Sequence, residues 1–197
     1  AKIELDDAAA FRHPEWKMFT TLSRQGSIKT AREQDYTQFV AATSPQGGLG
    51  RYVELDGDIA MILAGGGASL VAMDALKRAG GSAANYLELS GNPDPAHVRG
   101  CTEIALSHPT LRGIWIAGSF ANFTDIEQTI KPILTVIEQQ RLRIPIVIRR
   151  DGPQAVEAET FARTWSERTG IILQFHRGDV SLDLSAQRLV SLIRSSV

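Results

Sequence analysis

The 197-residue sequence is poor in cysteine, in net charge and in long apolar runs, and each shortage removes a class of protein. A single cysteine, Cys101, rules out an intrachain disulfide; it suits a reducing compartment, and a cytoplasmic location is expected. Lys and Arg total 21 against 22 Asp and Glu, for a formal net charge of −1. No global field therefore draws the chain to nucleic acid or to an anionic membrane, and any bound anion must be held by a local site. No apolar run approaches the roughly 20 residues needed to cross a bilayer. The opening Ala1-Lys2-Ile3-Glu4-Leu5-Asp6-Asp7 has no apolar signal segment and no initiator methionine, so a piece of a longer polypeptide is expected. His13, His97, His108 and His176 show neither i,i+4 pairing nor an HExxH pattern, and no metal site is expected. Trp16, Trp115 and Trp165 are too dispersed to form a stacking platform for single-stranded nucleic acid.

What is present is ordinary globular material, 43% hydrophobic and 22% charged, enough for the core of one domain. The pattern changes near residue 57. Residues 1–57 lack a sustained period and read as an irregular extension; Ser44-Pro45-Gln46-Gly47-Gly48-Leu49-Gly50 reads as a loop, and 27–42 as a short helix with Ser27 as N-cap. From Asp58 onward, short continuous apolar runs alternate with helical stretches. The runs are 58–64 (DIAMILA), 83–89, 113–118 (GIWIAG), 145–149 (PIVIR) and 171–175. The helices fall near 68–78, 95–107, 124–140, 153–168 and 181–195, with Asp94 capping the second ahead of Pro95, Pro132 inside the third and Gly170 closing the fourth. Continuous rather than alternating apolar strands predict burial on both faces, hence a parallel sheet built from right-handed βαβ units. The expected fold is α/β, a flavodoxin-like doubly wound five-stranded parallel sheet of order 2-1-3-4-5. Ligands then bind beyond the carboxyl ends of the first and third of these strands, where the winding reverses.

That rule selects loops before any family is considered. Gly65, Gly66 and Gly67 precede a helix, where free N–H groups attract an anion and absent side chains allow close approach. The plainer reading is a tight turn, because neither a GxGxxG fingerprint nor the Lys-Ser/Thr of a Walker loop is present. The segment Gly118-Ser119-Phe120-Ala121-Asn122-Phe123-Thr124-Asp125 offers hydroxyls and an amide at a helix entrance, and Thr124 or Asn122 would also serve as an N-cap. In Arg149-Arg150-Asp151-Gly152-Pro153 the adjacent arginines point to opposite faces, so one guanidinium can meet a carboxylate. The alternative is a surface pair with one member bridged to Asp151. His176 reads as a solvated loop residue and Cys101 as core.

These same segments carry a resemblance. Leu55-Asp56-Gly57-Asp58-Ile59-Ala60-Met61, Gly65-Gly66-Gly67-Ala68-Ser69, Met73-Asp74, Gly80-Gly81 and Ala84-Asn85-Tyr86-Leu87 resemble the start of the C-terminal ligase domain of succinyl-CoA synthetase β subunits. Glu88-Leu89-Ser90-Gly91, the 118–124 segment, Ile148-Arg149-Arg150-Asp151-Gly152-Pro153 and Thr169-Gly170-Ile171 are similar to ATP-citrate lyase. The stretch from Lys2 to Pro14 resembles the tail of an ATP-grasp domain. The resemblance implies a division into 1–57, the tail of an ATP-grasp domain and a linker, and 58–197, a CoA-ligase domain that binds a carboxylate.

It also implies a reaction: a partner histidine is phosphorylated, the phosphoryl group passes to citrate or a related acid, and CoA displaces phosphate to give a thioester. Substrate contacts implied for this chain are Gly91 through its backbone, the loop of Ser119, Phe120, Ala121, Asn122 and Thr124, and Arg150. No catalytic residue is implied here. The phosphohistidine and CoA belong to a partner subunit or domain, ATP and Mg to an ATP-grasp domain, and the chain alone should bind without turnover. Three departures bear on the acid. Gln140 stands where the citrate enzyme has tyrosine; Ala64 stands where succinate enzymes have asparagine; and 119–124 replaces their glycine-rich loop. Succinate is thereby disfavoured relative to a larger acid. Two other classes stay open: a non-catalytic anion-binding or assembly module, and a flavodoxin-like mononucleotide binder.

Overall fold

The computed structural model describes residues 30–43, 50–89 and 91–195. Ser27, the 44–49 loop and Ser90 lie outside the described residues, as does the stretch similar to an ATP-grasp tail. Twelve elements follow one another: α1 (Ala31–Thr43), β1 (Arg51–Glu54), β2 (Ile59–Ala64), α2 (Gly66–Arg78), β3 (Asn85–Leu89), α3 (Pro95–Leu106), β4 (Gly113–Phe120), α4 (Ile126–Gln139), β5 (Ile146–Asp151), α5 (Ala155–Thr169), β6 (Leu173–His176) and α6 (Leu182–Ser195).

The sheet runs β1-β3-β2-β4-β5-β6. β2 through β6 are parallel and keep the expected 2-1-3-4-5 order, with the reversal between β2 and β4. The strand count is corrected from five to six. β1 joins the edge antiparallel to β3, with Tyr52 opposite Leu87. Its signal was weak because it has four residues and only Tyr52 is buried.

The extension holds the short helix expected over 27–42, as α1, and in addition the unexpected strand β1. Thr30 and Glu33 cap α1 reciprocally: the Glu33 N–H donates to Thr30 Oγ1 at 3.2 Å and the Thr30 N–H to Glu33 Oε2 at 2.9 Å. Glu33 also accepts from the Glu54 N–H, which ties α1 to β1.

Alternation along the strands divides the core into two layers. Ala60, Ile62, Ile114, Ile116, Ile146 and Ile148 pack against α3, α4 and α5 on one face. Met61, Leu63, Trp115 and Val147 meet α2 and α6 on the other. Both faces of β2, β4 and β5 are thus buried, which is why their apolar runs are unbroken. Local sequence sets the helix ends. Asp94 accepts from the Ala96 and His97 N–H groups ahead of Pro95, and Gly170 closes α5 in the left-handed region at φ 70°. Among the described residues no helix is long and apolar enough to cross a membrane.

Candidate functional site

The loops that follow β2, β3, β4 and β5 meet at the carboxyl edge of the sheet, around the reversal between β2 and β4. After β2, Gly65 starts α2 in the left-handed region at φ 88° with no side-chain cap. Its carbonyl accepts from both the N–H and the hydroxyl of Ser69, at 2.8 and 2.9 Å. A side chain on Gly65 would come within 3.0 Å of Ser119 Oγ, so the glycine turn and Ser119 touch across the reversal. Gly66 and Gly67 are exposed, with open space above both.

After β4, a register irregularity lies between Ala117 and Phe120, where one extra residue sits opposite β5. Beyond it Ser119 and Asn122 are exposed, and Phe120 and Phe123 are 62% and 69% exposed. Ala121 does not join that open surface; it is buried, and its N–H donates to the Asp151 carbonyl at 2.9 Å. Asp125, rather than Thr124 or Asn122, caps α4 by accepting from the Gln128 N–H. Thr124 is a strut: its hydroxyl donates to the Gly91 carbonyl at 2.8 Å. Beside it the Asp125 N–H donates to Asn92 Oδ1 at 3.1 Å. The β3–α3 and β4–α4 loops are thereby fastened together, and the Thr124 proton is committed to protein.

The two arginines ending β5 have opposite fates. Arg149 donates to three backbone carbonyls, Gly118 and Val180 at 2.8 Å and Gly178 at 3.4 Å. Arg150 is 2% exposed, and its Nε has no partner among the described residues. No described carboxylate pairs with it. Asp151, its sequence neighbour, faces Arg177 at 3.5 Å and accepts from the Gly152 and Gly178 N–H groups. The Arg150 guanidinium lies over Gly118, where a Cβ would sit 2.0 Å from Nη1. Only glycine leaves that space. Burial, and then the neighbouring Arg149 charge, lowers Arg150 to about 10, so it remains a cation at neutral pH.

Three pairs of expected site residues or their neighbours are therefore in contact at one end of the sheet: Gly65 with Ser119, Gly91 with Thr124, and Gly118 with Arg150. Phe120 and Asn122 project into the open. Gln140 is a correction. It follows α4, whose 14 residues carry the chain about 20 Å from the Thr124 end. There it donates to the Glu103 carbonyl, away from Ser119, Thr124 and Arg150. Sequence reasoning missed Arg149, Asp151 and Asn92 as organisers of the site. The signal was present in the RRDGP run, but which arginine is satisfied depends on a loop nearly 30 residues further on.

Two cavities lie elsewhere. One, of about 160 Å³, is lined by Glu138, Arg141, Arg143, Arg168 and Thr169 at the far end of the sheet. The other, of about 280 Å³, lies along α5 and β6. Neither includes a switch-point residue, and the exposed Gly66, Gly67, Ser119 and Asn122 make the candidate site an open rim. Among the described residues no group of three or more His, Cys, Asp or Glu side chains is placed to hold a metal ion.

These features define the class as a doubly wound α/β domain, with an uncapped helix N-terminus at the reversal of its sheet and an unpaired buried guanidinium on the neighbouring strand. The family described as ATP citrate lyase citrate-binding matches residues 42–186, and the chain belongs to it. ATP citrate lyase from Methanothrix soehngenii, solved with citrate and coenzyme A, superposes with a TM-score of 0.78 at 24% identity, covering 95% of this chain and 52% of that one. The Methanosaeta concilii ATP citrate lyase, solved with (3S)-citryl-CoA, gives 0.75 at 26% identity, covering 95% and 49%. Among curated relatives, the succinate–CoA ligase [ADP-forming] β subunit of Nautilia profundicola is 29% identical over 163 residues, and that of Campylobacter jejuni RM1221 is 32% identical over 160. These alignments cover 83% and 81% of this chain but 38% of each relative, so the chain spans well under half of the curated proteins it matches.

Proposed function

We propose that this chain is the carboxylate-binding part of an ATP-dependent acid–CoA ligase, and that it holds citrate or a related di- or tricarboxylate against Arg150. The observation that carries the reading is the buried guanidinium without a counter-ion. A cation left unpaired in a low-dielectric setting raises the energy of the free protein, and a bound carboxylate supplies the missing partner with charge-assisted hydrogen bonds. The N–H groups that open α2 and the Ser119–Asn122 rim offer further donors to a polyanion. Thr124 and Gly91 contribute by bracing the loops. Residues 1–57 are proposed as an ATP-grasp tail and linker and 58–197 as the acid-binding domain, working in the cytoplasm.

In this reading ATP and Mg bind an ATP-grasp segment outside this chain, and CoA and a phosphohistidine belong to a partner subunit or domain. Those groups supply phosphoryl transfer and thioester formation. This chain's residues orient the acid and neutralise its charge, so the chain alone binds without turnover.

The curated relatives act on succinate, which makes succinate the competing acid. Titration calorimetry at fixed ionic strength separates the readings. Citrate is expected to bind more tightly than succinate, and Arg150→Ala to weaken it by roughly 2–4 kcal/mol, as for loss of a charge-assisted contact. Tighter succinate binding would reassign the acid. Silence with every polycarboxylate would favour a non-catalytic assembly module, and uptake of flavin mononucleotide in its place would revive the mononucleotide class.

A further inference from the structure

An unpaired buried guanidinium is an unusual state, because a side chain this long normally turns to a nearby acceptor. The residues on either side of Arg150 explain why it does not. Arg149 and Asp151 share a strand face opposite to that of Arg150, and between them they occupy the acceptors at this corner. Arg149 takes the carbonyls of Gly118, Gly178 and Val180 in one planar fork. The Gly118 carbonyl belongs to the very residue over which Arg150 lies. Asp151, the nearest carboxylate in sequence, is turned away from Arg150, and its two oxygens accept from the Gly152 and Gly178 N–H groups at 2.9 Å each, with Arg177 at 3.5 Å. Gly178 is gripped from both sides, its carbonyl by Arg149 and its N–H by Asp151. That double grip fastens the turn between β6 and α6 to the end of β5.

We propose that Arg149 and Asp151 are positioning residues that keep Arg150 available for substrate, Arg149 by occupying the Gly118 carbonyl beside it and both by strapping the 177–180 turn to β5. The inference rests on the reading that Arg150 binds the acid. It goes further in assigning the readiness of that cation to two residues that do not touch the acid. A lysine at 149 keeps the charge but has one nitrogen in place of a fork, and it cannot reach three carbonyls in different directions. The Gly118 carbonyl beside Arg150 is then released, and Arg150 turns to it.

The test follows the Arg150 Nε–H resonance in nitrogen-15 spectra of the 197-residue chain, alongside citrate affinity and amide exchange. In the wild type this resonance is expected to be resolved and to shift when citrate is added. In Arg149→Lys it is expected to move to a new position before citrate is present. Citrate affinity falls at least tenfold, and the Gly178 amide exchanges at least tenfold faster while β2 amides keep their protection. Asp151→Asn, a milder change, should shift the same signals in the same direction by less, and it decides the matter if the lysine variant fails to fold. Affinity within twofold of wild type in the folded variants, with an unmoved Arg150 resonance, overturns the proposal. If citrate fails to move the wild-type resonance, the acid-binding reading fails instead, while the exchange at Gly178 still reports on the strap.

Discussion

Replacing Arg150 with methionine should stabilise the ligand-free chain while abolishing its response to citrate. The magnitude follows from burial. The guanidinium is 2% exposed, its Nε is unpartnered among the described residues, and burial with the adjacent Arg149 charge brings it from its ordinary value above 12 to about 10. At about 1.4 kcal/mol for each tenfold, holding the cation there costs about 3 kcal/mol. Methionine keeps an apolar stem of similar reach and removes the charge. Allowing for imperfect packing, a gain of about 1–3 kcal/mol is expected, in the range seen when buried ionic groups give way to apolar ones. For a chain of this size that is about 2–4 °C in Tm per kcal/mol.

The pH dependence has a definite sign. The folded state holds this proton less tightly than the unfolded state, so the penalty is full below pH 10 and fades as pH rises through about 10. The advantage of Arg150→Met should therefore be flat near neutrality and shrink above pH 10. Tyr36 and Tyr52, both raised by burial, titrate in the alkaline range as well, but they do so in both proteins and cancel in the difference. Urea melts of the two proteins with and without citrate supply the measurement. Citrate at a hundred times its Kd should add about 2.7 kcal/mol to the wild type and nothing to the variant. A variant less stable than wild type by more than about 1 kcal/mol, without citrate, would refute the reasoning, since it would mean that Arg150 has a structural partner.

Asn85 is fully buried and exchanges two hydrogen bonds with the Met61 backbone, Nδ2 to the carbonyl at 2.9 Å and the N–H to Oδ1 at 3.1 Å. Asn85→Leu strands both peptide groups, and a loss of roughly 2–4 kcal/mol in a urea melt is expected. Thr124→Val removes the strut to Gly91; a fall of about 1 kcal/mol in stability without citrate is expected, and an unchanged melt would show that the two loops hold each other by other means. Cys101 is buried and its thiol is pushed up to about 12 by burial and then by Asp94. Iodoacetamide at pH 8 should leave the folded chain unmodified by mass spectrometry and label it fully in urea; labelling of the folded chain within minutes would contradict the packing.

Much of this protein is local, and the local part is legible. The apolar runs that became β2, β4 and β5 are continuous because helices cover both faces, and that pattern needs only the sequence to be read. Asp94 ahead of Pro95 and Gly170 after α5 act on groups within a few residues, so those helix ends were visible too. The glycine turn, the 118–125 segment and the arginine pair were found by the same route, through the rule that ligands bind where a doubly wound sheet reverses.

What the tertiary structure decided depends on partners distant in sequence. β1 is a strand because β3 offers an edge some 35 residues later, not because Arg51–Glu54 has a strong preference of its own. Gln140 falls away from the site because α4 carries it to the other end of the sheet. Thr124 becomes a strut because Gly91 lies 33 residues away in sequence and 2.8 Å away in space. Above all, two adjacent arginines with the same chemistry became one satisfied and one hungry cation. Strand alternation sends them to opposite faces, but only the fold brings the carbonyls of Gly118, Gly178 and Val180 to Arg149 and leaves Arg150 over bare glycine. A side chain's type is written in the sequence, whereas its satisfaction is a property of whatever the rest of the chain places beside it.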